Sequence, residues 1–202
     1  MKSLGLETLV VRSAAGDRQT YLKRPDLGRR LDEQSRRQLI EAAGRSDDRP
    51  DLVLAVVDGL SALAIERHAA PFLKALLPRL TDERLTVGAA VVAIQGRVAL
   101  GDEIAELLQA HLVVVLIGER PGLSSPDSMG IYMTWAPQVG KTDADRNCIS
   151  NVRADGMSYA AAASKLHYLI RAALRGKLSG VQLKDETNMD GAIIAARPCL
   201  SE

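Results

Sequence analysis

Aromatic residues are scarce in this 202-residue chain, where one Trp, one Phe and four Tyr make up 3% of the whole. Because 47% of residues are nevertheless apolar, the core has to be built from Ala, Val, Leu and Ile in thin layers, which suits helices packed on a sheet. Cysteine is nearly absent too. Cys148 and Cys199 stand far apart without a C-x-x-C or Cys/His ligand spacing, which excludes a disulfide framework and a zinc module. The longest uninterrupted apolar runs, such as Leu112–Ile117, fall far short of the roughly 20 residues that a membrane span needs. Met1 to Val11 lacks the apolar stretch and small-residue cleavage site of a secretory signal, so a soluble, cytoplasmic protein is expected. Charge of one sign is missing as well: 26 basic against 25 acidic residues leave +1. That provides no footprint for nucleic acid or an anionic membrane. The length points to one compact domain with short trimmings.

Residues 1–20 lack sustained periodicity and read as an N-terminal tail. From Asp26 to Gly44 apolar positions recur at helical spacing in an arginine-rich background. The charged stretch Arg45–Arg49 and Pro50 break the chain before Leu52–Val57, a continuous apolar run that reads as a buried strand. Helical spacing resumes at Ser61 and continues to Leu80, with Pro71 expected to kink or split the helix. Val87–Ile94 is a second strand, Asp102–Ala110 a short helix with Ile104, Leu107 and Leu108 on one face, and Leu112–Ile117 a third strand. Ile131–Trp135 is a candidate fourth strand and Gly180–Leu183 a last one. Ser158–Arg175 is the clearest helix, with Ser158 as N-cap and Gly176 as stop. The pattern predicts an α/β fold: a mostly parallel, Rossmann-like sheet with helices on both faces, preceded by the tail and a helix. The domain boundaries that follow are a tail over 1–20, the α/β domain over 21–186 and a C-terminal tail over 187–202.

In such sheets ligands bind beyond the carboxyl ends of the strands. Three loops are placed there: those starting at Asp58 and Gly118, and Gly96–Gly101. Gly118-Glu119-Arg120-Pro121-Gly122 sets a carboxylate beside a guanidinium at the end of the most apolar strand, a reasonable ligand contact or simply a solvated loop. Cys148 has no neighbouring base in sequence and is expected to be a buried, packing thiol. His68, His111 and His167 read as structural. There is no G-x-G-x-x-G after a strand, no G-x-x-x-x-G-K-[ST], no H-E-x-x-H and no G-x-S-x-G. The stretch Gly122-Leu123-Ser124-Ser125 is too loose for a nucleophile elbow. Gly140-Lys141-Thr142 imitates the end of a phosphate loop but lacks the upstream glycine. From the residues alone, this is a domain with a binding site on its strand ends and no self-sufficient catalytic set.

The blocks Arg97-Val98-Ala99-Leu100-Gly101-Asp102, Gly118-Glu119-Arg120-Pro121-Gly122-Leu123 and Asp145-Arg146-Asn147-Cys148-Ile149-Ser150-Asn151 closely resemble the small subunit of ethanolamine ammonia-lyase. Arg24-Pro25-Asp26-Leu27-Gly28-Arg29, Asp58-Gly59-Leu60-Ser61-Ala62 and Ser179-Gly180 fall in the same order, so the resemblance runs from about Arg24 to Glu186. It implies a subunit that encloses adenosylcobalamin against a catalytic large subunit, in an enzyme converting ethanolamine to acetaldehyde and ammonia by radical chemistry carried by the cofactor. It further implies that this chain is inactive alone, that ethanolamine binds to the partner, and that the pair assembles into a larger hetero-oligomer. The cofactor contacts implied by the motifs are Val98, Glu119 and Cys148, with Arg120, Arg146 and Asn147 as weaker additions. No residue is implied to be catalytic and none to bind a metal. The D-x-H-x-x-G pattern that replaces the lower axial base of cobalamin is missing, so a base-on cofactor is expected. Many relatives carry a longer amino-terminal extension, and Thr187–Glu202 matches no block. Packaging in a bacterial microcompartment is left open. Two other readings stand beside this one: a cobalamin-binding module or chaperone for a different partner, and a free-standing hydrolase-like or nucleotide-binding domain with its site at 118–125.

Overall fold

The computed structural model describes residues 5–45, 49–123 and 127–184. Two strands, β2 (Leu52–Val57) and β4 (Leu112–Gly118), are buried at every position, as continuous apolar runs must be when both faces of a sheet are covered. They lie side by side and parallel. β3 (Val87–Ile94) pairs in parallel on the other side of β2, and β1 (Thr8–Arg12) in parallel beyond β3. β5 (Met129–Trp135) and β6 (Arg146–Val152) extend the sheet antiparallel past β4, giving the order β1-β3-β2-β4-β5-β6. The fold is therefore the expected α/β one: an open, mostly parallel, Rossmann-like sheet.

One face carries α3 (Ala62–Asp82) and α5 (Tyr159–Gly176). Their side chains Phe72, Leu73, Leu76, Leu166 and Ile170 pack on Leu54, Val114, Ile131 and Met133. The other face carries α2 (Glu33–Ala43) and α4 (Leu100–Leu107), which pack Leu39, Leu100 and Ile104 on Val53, Ala55, Val113 and Val115. Each such buried side chain contributes about 1.5–3 kcal/mol. The two layers are unequal. α3 and α5 reach β5, and α5 also reaches β6, whereas the main contacts of α4 stop at β2 and β4.

Several expectations change in detail. Thr8–Arg12, expected within the tail, is the edge strand β1, and Arg18–Lys23 forms a further helix, α1, capped by Asp17. Both were hidden because β1 is short and only Val11 of its five residues is fully buried. The helix expected over 26–44 is interrupted: a 3₁₀ turn at Leu27–Arg29 is followed by α2, whose cap Asp32 accepts from the Ser35 amide at 2.7 Å. α3 is not split, since helical residues run through both Pro71 and Pro78. Pro71 withdraws one donor, but buried Ala69, Phe72 and Leu73 on either side of it hold the helix on its course. α4 starts at Leu100 and stops at Leu107. Gly176 closes α5 from inside, and Lys177 takes the left-handed conformation (φ 54°) that follows it. Gly180–Gln182 is a 3₁₀ turn and not a strand. Cys199, the tail 187–202, residues 46–48 of the charged stretch and Ser124-Ser125 lie outside the described residues.

Candidate functional site

Of the three strand-end loops, the first is consumed by the fold. The Asp58 carboxylate accepts from the backbone amides of Gln95 (2.9 Å) and Gly96 (3.2 Å), and Arg18 donates to the carbonyls of Gly59 (2.7 Å) and Leu60 (3.1 Å). The chain passes so close to the end of β4 that Leu60 N–H donates to the Gly118 carbonyl at 2.9 Å. A Cβ on Gly118 would sit 2.0 Å from the Ser61 carbonyl oxygen, and Gly59 has a φ of +57°. Both positions therefore need glycine. The crevice between the ends of β2 and β4, where a ligand is expected in a doubly wound sheet, is filled by backbone.

Accessible chemistry lies to one side, over β5 and β6. Glu119 leaves β4 half-buried and one of its oxygens accepts from the Ser128 hydroxyl at 2.5 Å and from the Asn151 amide at 3.4 Å. Its other oxygen lies over Gly130, where a Cβ would come within 2.9 Å. Tyr132 and Cys148 are register partners on adjacent strands. Alternation along β5 sends Ile131 and Met133 into the α3/α5 layer and Tyr132 to the opposite face. Cys148 is exposed, contrary to the buried thiol expected from sequence. The reason is that β6 is an edge strand and α4, whose main contacts stop at β4, reaches the face carrying Cys148 only at Arg146 through Asp102. Enough protein crowds the thiol to push its pKa up, against the opposing hydrogen bond from Tyr132. Desolvation first, then the neighbouring Cys148, raise the Tyr132 phenol. At neutral pH both are neutral, so Cys148 carries no thiolate there.

Val98 lies apart from this strip. It sits half-buried in the loop between β3 and α4 and lines a recess of about 640 Å³ together with Arg97, Val139, Lys141 and Arg146. Arg146 links the two regions, since it precedes Cys148 by two residues on β6. Its guanidinium forms a two-pronged pair with Asp102 of α4 (2.6 and 2.7 Å), both side chains 2% exposed, and also donates to Thr134 Oγ1 (3.0 Å) and the Lys141 carbonyl (2.9 Å). Burial pushes the Asp102 carboxyl up, with Arg146 opposing. Two of the weaker expected contacts are thus engaged by the fold. Arg146 holds Asp102. Asn147 donates to the carbonyls of Gly180 (3.3 Å) and Leu183 (3.0 Å) and accepts from the Gly180 amide (2.8 Å). Arg120 is exposed.

The three histidines are held by structural contacts. His68 Nδ1 meets the Tyr159 hydroxyl at 2.9 Å, His111 stacks on Trp135, and His167 on α5 faces Glu83. Among the described residues no group of His, Cys, Asp and Glu could hold a metal ion, and no helix is long and apolar enough to cross a membrane. Sequence reasoning missed Tyr132 and Asp102. The signal for Tyr132 was available in the period-two placement between Ile131 and Met133; none marked Asp102, an acidic residue that a helix can turn inward only when a cation waits there.

Residues 1–184 match the family model described as ethanolamine ammonia-lyase light chain (EutC). A relative from Pseudomonas paraeruginosa (strain DSM 24068 / PA7), named ethanolamine ammonia-lyase small subunit, is 57% identical over 189 residues, covering 94% of this chain and 69% of the relative. Proteins of the same name from Azotobacter vinelandii and Xanthomonas campestris pv. campestris (strain ATCC 33913) are 56% and 53% identical. They cover 95% and 93% of this chain, and 72% and 69% of their own lengths.

Proposed function

The chain belongs to the ethanolamine ammonia-lyase light-chain family, and from that premise we propose that it is the small subunit of an adenosylcobalamin-dependent ethanolamine ammonia-lyase, enclosing the cofactor against a catalytic large subunit. The observation that carries this reading is the half-roofed sheet edge. Glu119, Tyr132 and Cys148 lie on the face beyond β4, and among the described residues no nucleophile–base pair accompanies them. When bound, the cofactor supplies the radical chemistry. The residues present fit such a group. A corrinoid has broad apolar faces, an edge of amides and a phosphodiester-linked nucleotide, and the strip offers an aromatic ring, a thiol and a carboxylate acceptor in one place.

Each side chain has a limited task. Glu119 is held by Ser128 and the Asn151 amide, so its second oxygen is positioned to accept from an amide or hydroxyl at the rim. Cys148 and Tyr132 give dispersion contact and exclude water without ionising. Val98 extends the apolar contact toward the recess. In this reading the chain positions and shields, and ethanolamine binds to the large subunit.

The test is co-expression with the large subunit and assay of acetaldehyde released from ethanolamine with adenosylcobalamin. Activity is expected only with both chains, and Glu119→Ala is expected to weaken cofactor binding about tenfold, the equivalent of one hydrogen bond to a charged group. Turnover by the isolated chain would overturn the division of labour. Cobalamin bound without affinity for the large subunit would replace it with a cofactor module for another partner.

A further inference from the structure

The two hydrogen bonds that fix the Glu119 carboxylate come from separate segments, the Ser128 hydroxyl just before β5 and the Asn151 amide near the end of β6. Each segment is tied in turn to α3. Asp127 precedes Ser128 directly, and its carboxylate accepts from Arg67 Nη1 at 2.7 Å. After Asn151 the chain turns tightly, with the Met157 amide donating to the Asn151 carbonyl at 2.9 Å, and enters α5 at Tyr159. The Tyr159 hydroxyl meets His68 Nδ1 at 2.9 Å. The other ring nitrogen, Nε2, faces the Asp127 carboxylate at 3.5 Å, longer than a good hydrogen bond but close enough for charge to orient the pair. One imidazole therefore stands between the two segments that hold Glu119.

His68 is 5% exposed, on a helix anchored by the fully buried Phe72, Leu73 and Leu76. The residues leading into α3 are pinned to the end of β4, where the Leu60 amide donates to the Gly118 carbonyl. The brace is thus built on the same strand end that Glu119 leaves. With the Tyr159 hydroxyl donating to Nδ1, the ring proton sits on Nε2, toward Asp127. Arg67 foremost, with His68 acting in the same sense, holds the Asp127 carboxyl below its usual range against desolvation. An apolar side chain would fill the same space without the cost of burying two polar nitrogens. What the imidazole adds is the link. We infer that His68 is a positioning residue for Glu119, bracing through Asp127 and Tyr159 the two segments that aim its carboxylate. Fixing an acceptor before its ligand arrives removes part of the ordering cost of binding. The inference deepens the proposed function and rests on it only for the ligand that Glu119 meets.

The experiment is a double-mutant cycle on the two-subunit complex, with cobalamin titrated and followed by corrinoid absorbance. His68→Leu fills the site and removes both polar contacts. It is expected to weaken cobalamin about fivefold beside an intact Glu119 and less than about 1.5-fold beside Glu119→Ala, since a residue that acts through Glu119 then has nothing left to act on. His68→Gln, whose amide can donate to Asp127 as Nε2 does, is expected to restore affinity to within about twofold of wild type. Arg67→Gln changes a side chain that is 56% exposed, releases Asp127 from outside the core, and gives the same non-additivity where His68→Leu does not fold. Equal losses with and without Glu119 would reduce His68 to a core residue and overturn the inference. Amide exchange in the full chain by itself separates positioning from the cofactor reading: the Asn151 amide should exchange about fivefold faster in His68→Leu and in Arg67→Gln, with the amides of β2 unchanged. If Glu119→Ala leaves cobalamin affinity as it was, or no corrinoid binds the wild-type complex, it is the cofactor contact that fails and exchange decides the positioning role. Unchanged exchange at Asn151 in both variants then overturns it.

Discussion

β2 and β6 belong to one sheet and share little else. All six residues of β2 are buried, whereas in β6 only Arg146, Ile149 and Val152 are. β2 is fixed by apolar continuity: neighbouring strands on both edges and helical layers on both faces leave no position for a polar side chain. β6 is fixed by individual polar ties, Arg146 to Asp102 and Asn147 to the turn at Gly180, while Cys148 and Ser150 stay exposed. Continuous burial gives a frame, and specific ties at its edge leave a surface free for a partner or cofactor. The contrast also explains why the loop at Asp58 is not the site: a fully roofed centre needs that loop to close its end.

The contrast can be broken most severely at Arg146. Arg146→Met leaves Asp102 buried without its cation, and a loss of about 3–5 kcal/mol is expected in urea unfolding. The double variant Asp102→Leu with Arg146→Met should recover most of it. If the double variant is as unstable as the single one, β6 is held by something other than this pair. In the centre, Leu54→Ala empties a fully buried position and is expected to lower stability by about 2–5 kcal/mol.

Smaller effects sharpen the comparison. Tyr132→Ala on the unroofed face should reduce stability by about 1 kcal/mol, yet weaken corrinoid binding by the two-subunit complex. A loss as large as that of Leu54→Ala would mean that Tyr132 is core. Cys148→Ala should change stability by no more than about 0.5 kcal/mol. Because its folded-state pKa is raised, the folded chain holds the thiol proton more tightly than the unfolded chain does. Alkylation of Cys148 should accordingly rise at higher pH than for an unfolded thiol, and the folded state should lose a little stability as pH climbs through that pKa. Alkylation at the pH of an unfolded thiol would show that the crowding is absent.

Most of the frame is legible in the sequence. Leu52–Val57, Val87–Ile94 and Leu112–Ile117 announce themselves because a strand buried on both faces tolerates only apolar residues. Ser158 caps α5 as its spacing predicts, accepting from the Ala161 amide at 3.3 Å. β1 and β6 were not legible, since edge strands need apolar residues on at most one face. Within the candidate site, the motif blocks singled out Val98, Glu119 and Cys148, but spacing could not foresee that Glu119 and Cys148 share a strip with Tyr132 while Val98 lines the recess beside it. Nor could it show that Arg146 and Asn147 are engaged by the fold.

What the sequence by itself determined is the class of fold and the family, because periodicity and motif order are local properties of the chain. What only the tertiary structure decided is which polar groups remain available. That depends on whether a partner arrives from a distant segment: Asp102 meets Arg146 across 44 residues, and Asn147 meets Gly180 across 33. Among the described residues no acceptor reaches the Nε of Arg97, and the thiol of Cys148 meets only the phenol of Tyr132 on the next strand and stays exposed.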